Sequence, residues 1–179
     1  MLDRDLSHLH PDFRHRVVSV QSQLRKESVP LRLYEGSRHP HRQALLYQRG
    51  RFGDAGKTVT RARPWSSFHN YGVAADFVAW NGVKWAWPAA DDGVWKVLHD
   101  IGRKHGLIAL SFERPHLQLE SLGLDDLIAG RIPPGDDSWS DHLHSYAEPG
   151  PPPPGIRAEA WAFPPAWLTQ ERPELDDVV

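Results

Sequence analysis

The chain of 179 residues contains no cysteine, no strong excess of charge and no long apolar run. Without cysteine, disulfide bonds and thiolate metal sites are both excluded. A net charge of −2 at pH 7 supplies no basic field, so we expect no nucleic-acid partner. No stretch approaches the roughly 20 apolar residues of a membrane-spanning helix, so we expect no membrane association. Any function must therefore depend on a local site in a globular fold.

Polar chemistry is concentrated in two separated segments. The first contains His69 and Asp76, and the second contains Glu113 and His116. A catalytic zinc ion takes three nitrogen or oxygen ligands and keeps one position for water, so His69, Asp76 and His116 can form its shell. Glu113 lies three positions before a ligand, which suits a general base that reaches the water without binding the metal. The pattern indicates a hydrolase.

The local sequence explains how distant residues converge. Gly72 interrupts the first segment, and the apolar run 73–80 is typical of a buried strand, so His69 belongs to a loop and Asp76 to a strand. Pro115 biases the residue before it toward extended geometry and places His116 at the start of another strand.

Three motifs occur in order along the chain: EGSRHPHRQALLYQRGR at 35–51, SFHNYGVAAD at 67–76 and ERPH at 113–116. They resemble the motifs of the zinc peptidases of peptidoglycan. That family includes D-alanyl-D-alanine carboxypeptidases and dipeptidases, and also L-alanyl-D-glutamate endopeptidases. The resemblance implies the hedgehog/DD-peptidase fold, a Zn²⁺ cofactor and peptidoglycan stem peptides as substrate.

The resemblance also implies roles for individual residues. It makes His69, Asp76 and His116 the metal ligands, and Glu113 the catalytic acid/base. Arg38 matches the arginine that steadies the developing oxyanion. Two further residues are expected to support the site or contact substrate, namely Ser67 and Tyr71.

Three functions remain open within this interpretation. The run SFHNYG at 67–72 favours an L-alanyl-D-glutamate endopeptidase, and a D,D-carboxypeptidase or D-Ala-D-Ala dipeptidase is the alternative. A non-catalytic zinc module that binds the cell wall is a third reading, and it has no need for Glu113. The start of the chain lacks the pattern of a secretory signal. We therefore expect a monomer made in the cytoplasm that acts on the wall after release, as a phage lysin does, or on wall fragments.

The periodicity of the chain predicts an α+β fold with a mostly antiparallel central sheet and flanking helices. A helix is expected over 11–26, a strand over 31–35, and a hairpin at Asn81-Gly82 with a returning strand over 83–87. We expect a zinc peptidase domain over 1–131. Proline is dense in 132–179, which predicts an extended C-terminal segment; its tryptophans suggest that it docks on the domain.

The eleven histidines include three His-x-His pairs, at 8/10, 39/41 and 142/144. Each pair would share one face of a strand and so has the geometry to bind metal. None has a carboxylate nearby in a matching motif, so we expect solvated surface histidines.

Overall fold

The computed structural model describes residues 2–147 and 150–170. The strands are β1 (Leu31–Glu35), β2 (Ala74–Trp80), β3 (Trp85–Ala86), β4 (Leu107–Leu110) and β5 (Glu113–Leu119). The helices are α1 (Pro11–Lys26), α2 (Pro40–Gln48), α3 (Gly93–Lys104), α4 (Leu124–Ile128), α5 (Asp137–Ser145) and α6 (Ala166–Thr169). All strand pairs are antiparallel, in the order β1-β2-β5-β4, with β3 paired to β2. The predicted α+β class is confirmed.

The helix α1 and the strand β1 have the bounds that the sequence predicts. Proline occupies the first turn of α1, where its missing N–H has no intrahelical role. One face of α1 is buried, and its residues recur at helical spacing: Phe13, Val17, Val20 and Leu24. Among the described residues, no helix combines the length and apolarity needed to cross a bilayer.

The sheet has a core face and a site face. In β2, Ala75 and Phe77 belong to the hydrophobic core, and the intervening Asp76 points to the opposite face because side chains alternate along a strand. The helix α3 packs against β4, β5 and α1. The core therefore lies on the helical side, and the other face is free to carry polar chemistry.

The returning strand of the hairpin is shorter than predicted. Only Trp85–Ala86 pairs with β2, whereas the sequence predicts a strand over 83–87. Val83 and Trp87 are largely exposed. Trp87 contacts the ring of Tyr34, with 5.4 Å between ring centroids, but it does not pair with β2.

The C-terminal segment is not simply extended, which corrects the expectation from its proline content. It contains the nine-residue helix α5, capped by Asp136, whose side chain accepts a hydrogen bond from the Trp139 amide. Trp139 and Leu143, four residues apart, both belong to the main core. The Trp139 indole also donates a 2.9 Å hydrogen bond to the Tyr71 carbonyl oxygen. A domain boundary at residue 131 stays a prediction, and residues 148–149 and 171–179 of that segment lie outside the described residues.

Candidate metal centre

Three neighbouring strands bring polar residues into one row. In the antiparallel pairing, Glu35 of β1 lies opposite Asp76 of β2, and Asp76 lies opposite His116 of β5. Directly opposed residues share a face of the sheet. The row therefore crosses the site face, perpendicular to the strands.

A bulge in β1 completes the row. The pairing with β2 shifts register between Leu33 and Glu35, so Tyr34 is the extra residue. Without the shift, Glu35 would share the core face with Leu33, because a one-residue slip moves a side chain to the other face. The bulge thus turns a buried carboxylate toward the site.

His69 reaches the row from a 3₁₀ turn. The turn spans Phe68–Tyr71 and ends at Gly72, whose φ of 68° is left-handed. A side chain at Gly72 would place its Cβ 2.7 Å from the carbonyl oxygen of His8, so glycine is required on two grounds. The turn directs His69 toward Asp76 and His116.

The three ligand atoms form a nearly equilateral triangle. His69 Nε2 lies 3.2 Å from His116 Nδ1 and 3.4 Å from Asp76 Oδ1. The third side, from His116 Nδ1 to Asp76 Oδ1, is 3.3 Å. A tetrahedral zinc ion with bonds of about 2.0–2.1 Å holds its ligand atoms about 3.3–3.4 Å apart. The spacing of the protein atoms alone matches that geometry.

The hydrogen bonds behind the triangle make it suited to hold a cation. His69 Nδ1 donates to the carbonyl oxygen of Gly36 at 2.7 Å, which leaves a lone pair on Nε2. His116 Nε2 similarly meets the side-chain oxygen of Gln118 at 3.0 Å, which leaves a lone pair on Nδ1. With Asp76 Oδ1, three acceptors face one another with no proton between them. The donor set therefore fits a metal ion.

The electrostatics of Asp76 agree with this interpretation. Burial raises the pKa of this carboxyl, but the close contacts with the rings of His69 and His116 hold the pKa well below its usual range. Burial lowers the pKa of His116, yet its contacts with Asp76 raise that pKa overall. The field that draws a proton to His116 also attracts a metal cation, which competes with protons for the same nitrogen.

Arg38 holds the second oxygen of Asp76. Its Nη2 donates to Asp76 Oδ2 at 3.0 Å and to Glu35 Oε2 at 2.7 Å, and its Nη1 donates to Gln43 at 3.0 Å. Burial raises the pKa of Glu35, but the charge of Arg38 and the hydrogen bonds from Arg42 and Arg38 lower it overall. With Oδ2 engaged, only Oδ1 of Asp76 faces the triangle.

Glu113 stands beside the triangle because β5 is irregular. Ile108 of β4 pairs with Gln118, but Leu110 pairs with Glu113, so β5 contains extra residues between these pairs. Residues three apart on a regular strand would point to opposite faces. Here the carboxylate Oε2 of Glu113 comes within 4.0 Å of His116 Nδ1 while its side chain remains 39% exposed.

The irregular segment is held from outside by α3. The ring of His99 donates a 2.8 Å hydrogen bond from Nε2 to the Arg114 carbonyl oxygen. Since Arg114 adjoins Glu113, this bond fixes the backbone next to the carboxylate.

The triangle opens into a cavity of about 760 Å³. Its walls come from the loop 58–62, the segment 66–69 and the strands β4 and β5, with Arg38 also exposed to it. Glu113, His69 and His116 all line this space. A molecule in this cavity can therefore contact the two histidines and Glu113 together.

The other two predicted site residues occupy different positions. Ser67 lines the cavity next to His69. Tyr71 is fully buried, and its hydroxyl donates to the Trp65 carbonyl oxygen at 2.9 Å. Burial raises the pKa of Tyr71, so the hydroxyl stays protonated and acts as a core anchor for the turn that carries His69.

Sequence reasoning missed Gln118 and Gln43. Gln118 shares the face of His116 because it lies two residues further along β5, a signal that was available from strand alternation. Gln43 joins Arg38 to the loop by donating to the Ala62 carbonyl oxygen at 2.7 Å. Nothing in the local sequence indicates that second contact.

The expectation of solvated histidines is wrong for part of the chain. His10 is 1% exposed, and its Nε2 meets the Pro133 carbonyl oxygen at 2.9 Å. His8 and His142 stack on each other and flank Asp3, which forms a second His–Asp–His group. These histidines are covered because α5 packs on the N-terminal 3₁₀ turn at Leu6–His8.

Comparison with known proteins adds one relative. No protein-family model matches the chain. The chain is 35% identical over 71 residues to the peptidoglycan L-alanyl-D-glutamate endopeptidase CwlK of Bacillus subtilis (strain 168). The matched segment covers 40% of this chain and 42% of that relative. The similarity supports the resemblance to peptidoglycan peptidases as a group and singles out no member of it.

Proposed function

We propose that this protein is a zinc-dependent peptidase that hydrolyses the peptide stem of bacterial peptidoglycan. The observation that carries the proposal is the triangle of His69 Nε2, Asp76 Oδ1 and His116 Nδ1, with sides of 3.2–3.4 Å, open to a cavity beside Glu113. The similarity to CwlK, whose name specifies peptidoglycan, supports the substrate class.

The chain's own residues supply the proton chemistry. A zinc ion held by the three ligands would polarise the scissile carbonyl and lower the pKa of a water molecule. Glu113 accepts the proton of the attacking water at its carboxylate and returns it to the leaving amine. The Glu113 side chain is 39% exposed and lines the cavity, where the water and the substrate would meet.

Arg38 has a role in positioning in this mechanism. It fixes Asp76 by binding Oδ2, and Glu35 fixes Arg38 in turn. Because Arg38 also lines the cavity, its permanent charge favours the negative charge that develops on the substrate oxygen. The resemblance implies the same role for this arginine.

We favour cleavage between L-alanine and D-glutamate over the alternatives. The relative named for that cleavage shares 35% identity over the matched segment. A D,D-carboxypeptidase or D-Ala-D-Ala dipeptidase would use the same zinc chemistry on a different bond. A non-catalytic wall-binding module is disfavoured because such a module has no need for a carboxylate 4.0 Å from His116 Nδ1.

Digestion of purified muropeptides, followed by mass spectrometry, tests the proposal. We expect separation of L-alanine from D-glutamate in intact stems and no release of D-alanine from D-Ala-D-Ala. Release of D-alanine with the other bond intact would replace the endopeptidase assignment with the carboxypeptidase one. Intact muropeptides after incubation with the zinc-loaded protein would refute the peptidase itself.

A further inference from the structure

The wall of the cavity includes one arginine that lacks a partner among the described residues. Arg61 is exposed and lines the same cavity as His69, Glu113 and His116. Within residues 2–147 and 150–170, it makes no hydrogen bond, ion pair or ring contact. An exposed arginine is usually just solvated, but this one lines the cavity beside the candidate metal centre.

The backbone around Arg61 is fixed on both sides. Arg51 donates to the Thr60 carbonyl oxygen at 3.0 Å, and Gln43 donates to the Ala62 carbonyl oxygen at 2.7 Å. The Ala62 amide also donates to the Thr60 hydroxyl at 3.2 Å. These hydrogen bonds hold the backbone on both sides of Arg61. Gln43 also connects this loop to Arg38, because the Arg38 guanidinium donates to the Gln43 side-chain oxygen at 3.0 Å.

The neighbouring basic residues have other contacts. Arg51 and Arg63 lie over the ring of Tyr47, with 4.2 Å and 5.4 Å between guanidinium carbon and ring centroid. Arg38 is engaged by Glu35 and Asp76. In this part of the cavity wall, Arg61 is thus the cation that remains available to a ligand.

The apolar side chains near Arg61 indicate that the ligand also carries apolar groups. Val59 lies two residues before it on the same loop and is half exposed, and Phe112 is largely exposed next to Glu113. Both line the cavity. A ligand with one carboxylate and short aliphatic groups suits this combination of a single cation and two apolar surfaces.

We propose that Arg61 binds a free carboxylate of the substrate adjacent to the scissile bond, and so selects stems whose D-glutamate is not amidated. This inference rests on the proposed endopeptidase function. In the stem, D-glutamate is joined to L-alanine through its amine and to the next residue through its γ-carboxyl group. Its α-carboxylate remains free on the carbon that carries the scissile nitrogen. A guanidinium recognises a carboxylate through parallel charge-assisted hydrogen bonds, and a carboxamide cannot reproduce that pairing.

Two synthetic stem tetrapeptides test the inference, one with D-glutamate and one with D-isoglutamine at the second position. The wild-type protein cleaves the glutamate peptide with the higher kcat/KM. Arg61→Gln lowers kcat/KM on that peptide by about 10- to 100-fold and leaves cleavage of the isoglutamine peptide nearly unchanged. Arg61→Lys retains part of the preference because it keeps the charge. Arg63→Gln is the matched control on the same loop and keeps the wild-type ratio.

The outcomes separate the inference from the function on which it rests. If both peptides are cleaved and Arg61→Gln leaves their ratio unchanged, the carboxylate site is refuted and the peptidase stands. If Arg63→Gln removes the preference for the glutamate peptide as fully as Arg61→Gln does, the preference arises from the overall positive charge of the loop. The assignment to Arg61 is then wrong. If the wild-type protein cleaves neither peptide, the endopeptidase function falls and this inference falls with it.

Discussion

Two groups of the same composition, two histidines and one aspartate, occupy different parts of this molecule. One is His69, Asp76 and His116, and the other is Asp3, His8 and His142. Their residue types alone do not distinguish them. Their geometry differs enough that we assign a metal to the first group only.

Ring orientation is the first difference. The rings of His69 and His116 are inclined at 68° with centroids 5.0 Å apart, so lone pairs in the two ring planes can converge on one point. The rings of His8 and His142 are parallel within 5° and 3.4 Å apart. Lone pairs in two stacked planes run parallel, and a metal between them would lie far out of both planes.

Support from the surrounding protein is the second difference. The ring nitrogens of His69 and His116 that face away from the triangle each meet an acceptor, and Arg38 holds the outer oxygen of Asp76. The second group is only half-buried, and its aspartate binds the amide of Asp5 and the ring of His8. The two groups therefore differ in the contacts that orient their side chains, although their composition is the same.

The largest expected effect concerns Glu113, the carboxylate that lines the cavity beside the first group. Glu113→Gln keeps the size of the side chain but removes proton transfer, so we expect turnover to fall by at least about 100-fold with the metal retained. Steady-state kinetics and metal analysis of the same preparation measure both. Glu120→Gln, at an exposed position just past β5, is the control. Near-normal turnover in Glu113→Gln would make Glu113 a structural residue.

An intermediate effect is expected from the residue that orients His116. Gln118→Ala removes the acceptor for Nε2, and loss of such outer contacts lowers metal affinity by about 10- to 100-fold. Competition with a chelator of known affinity measures the change. Gln23 binds the ring of His105 in the same way, 2.9 Å from Nε2 and away from the metal centre. If Gln23→Ala weakens zinc binding equally, the orienting role of Gln118 is wrong.

The smallest expected effect is on stability and concerns the second group, in which Asp3 and His8 contact His142 of α5. Burial acts to raise the pKa of Asp3, but hydrogen bonds from His142, the Asp5 amide and His8 lower it from 3.8 to about 2. A depressed pKa in the folded state contributes stability above pH 3.8 that is lost as the pH falls toward 2.

Thermal melting of Asp3→Asn tests whether the Asp3 carboxylate contributes this stability. Loss of about one net hydrogen bond corresponds to a fall of about 2–4 °C in melting temperature at neutral pH. The difference between wild type and variant should shrink as the pH falls from 3.8 toward 2. A difference that is constant across this range would show that the ionised carboxylate contributes nothing.

Local patterns in the sequence predict much of the fold. The helix α1 and the strand β1 follow from apolar spacing and from the prolines beside them, because both elements are specified by neighbouring residues. The sequence motifs also select the three residues of the triangle. Whether they bind metal stays a prediction.

Long-range contacts account for what the sequence does not reveal. The bulge at Tyr34 and the irregularity before His116 depend on strand pairing, which no local pattern records. Likewise, the hydrogen bond between His10 and the Pro133 carbonyl oxygen joins residues more than 100 positions apart. Helix α5 was missed because the surrounding prolines masked the four-residue spacing of Trp139 and Leu143.

Metal content is the most direct test of the difference between the two groups. The wild-type protein, His116→Ala and His142→Ala would each be loaded with Zn²⁺, dialysed and analysed by atomic emission. We expect one tightly held zinc per chain in the wild type and in His142→Ala, and none in His116→Ala. A full equivalent of zinc in His116→Ala, or its loss in His142→Ala, would contradict the assignment of the metal to His69, Asp76 and His116.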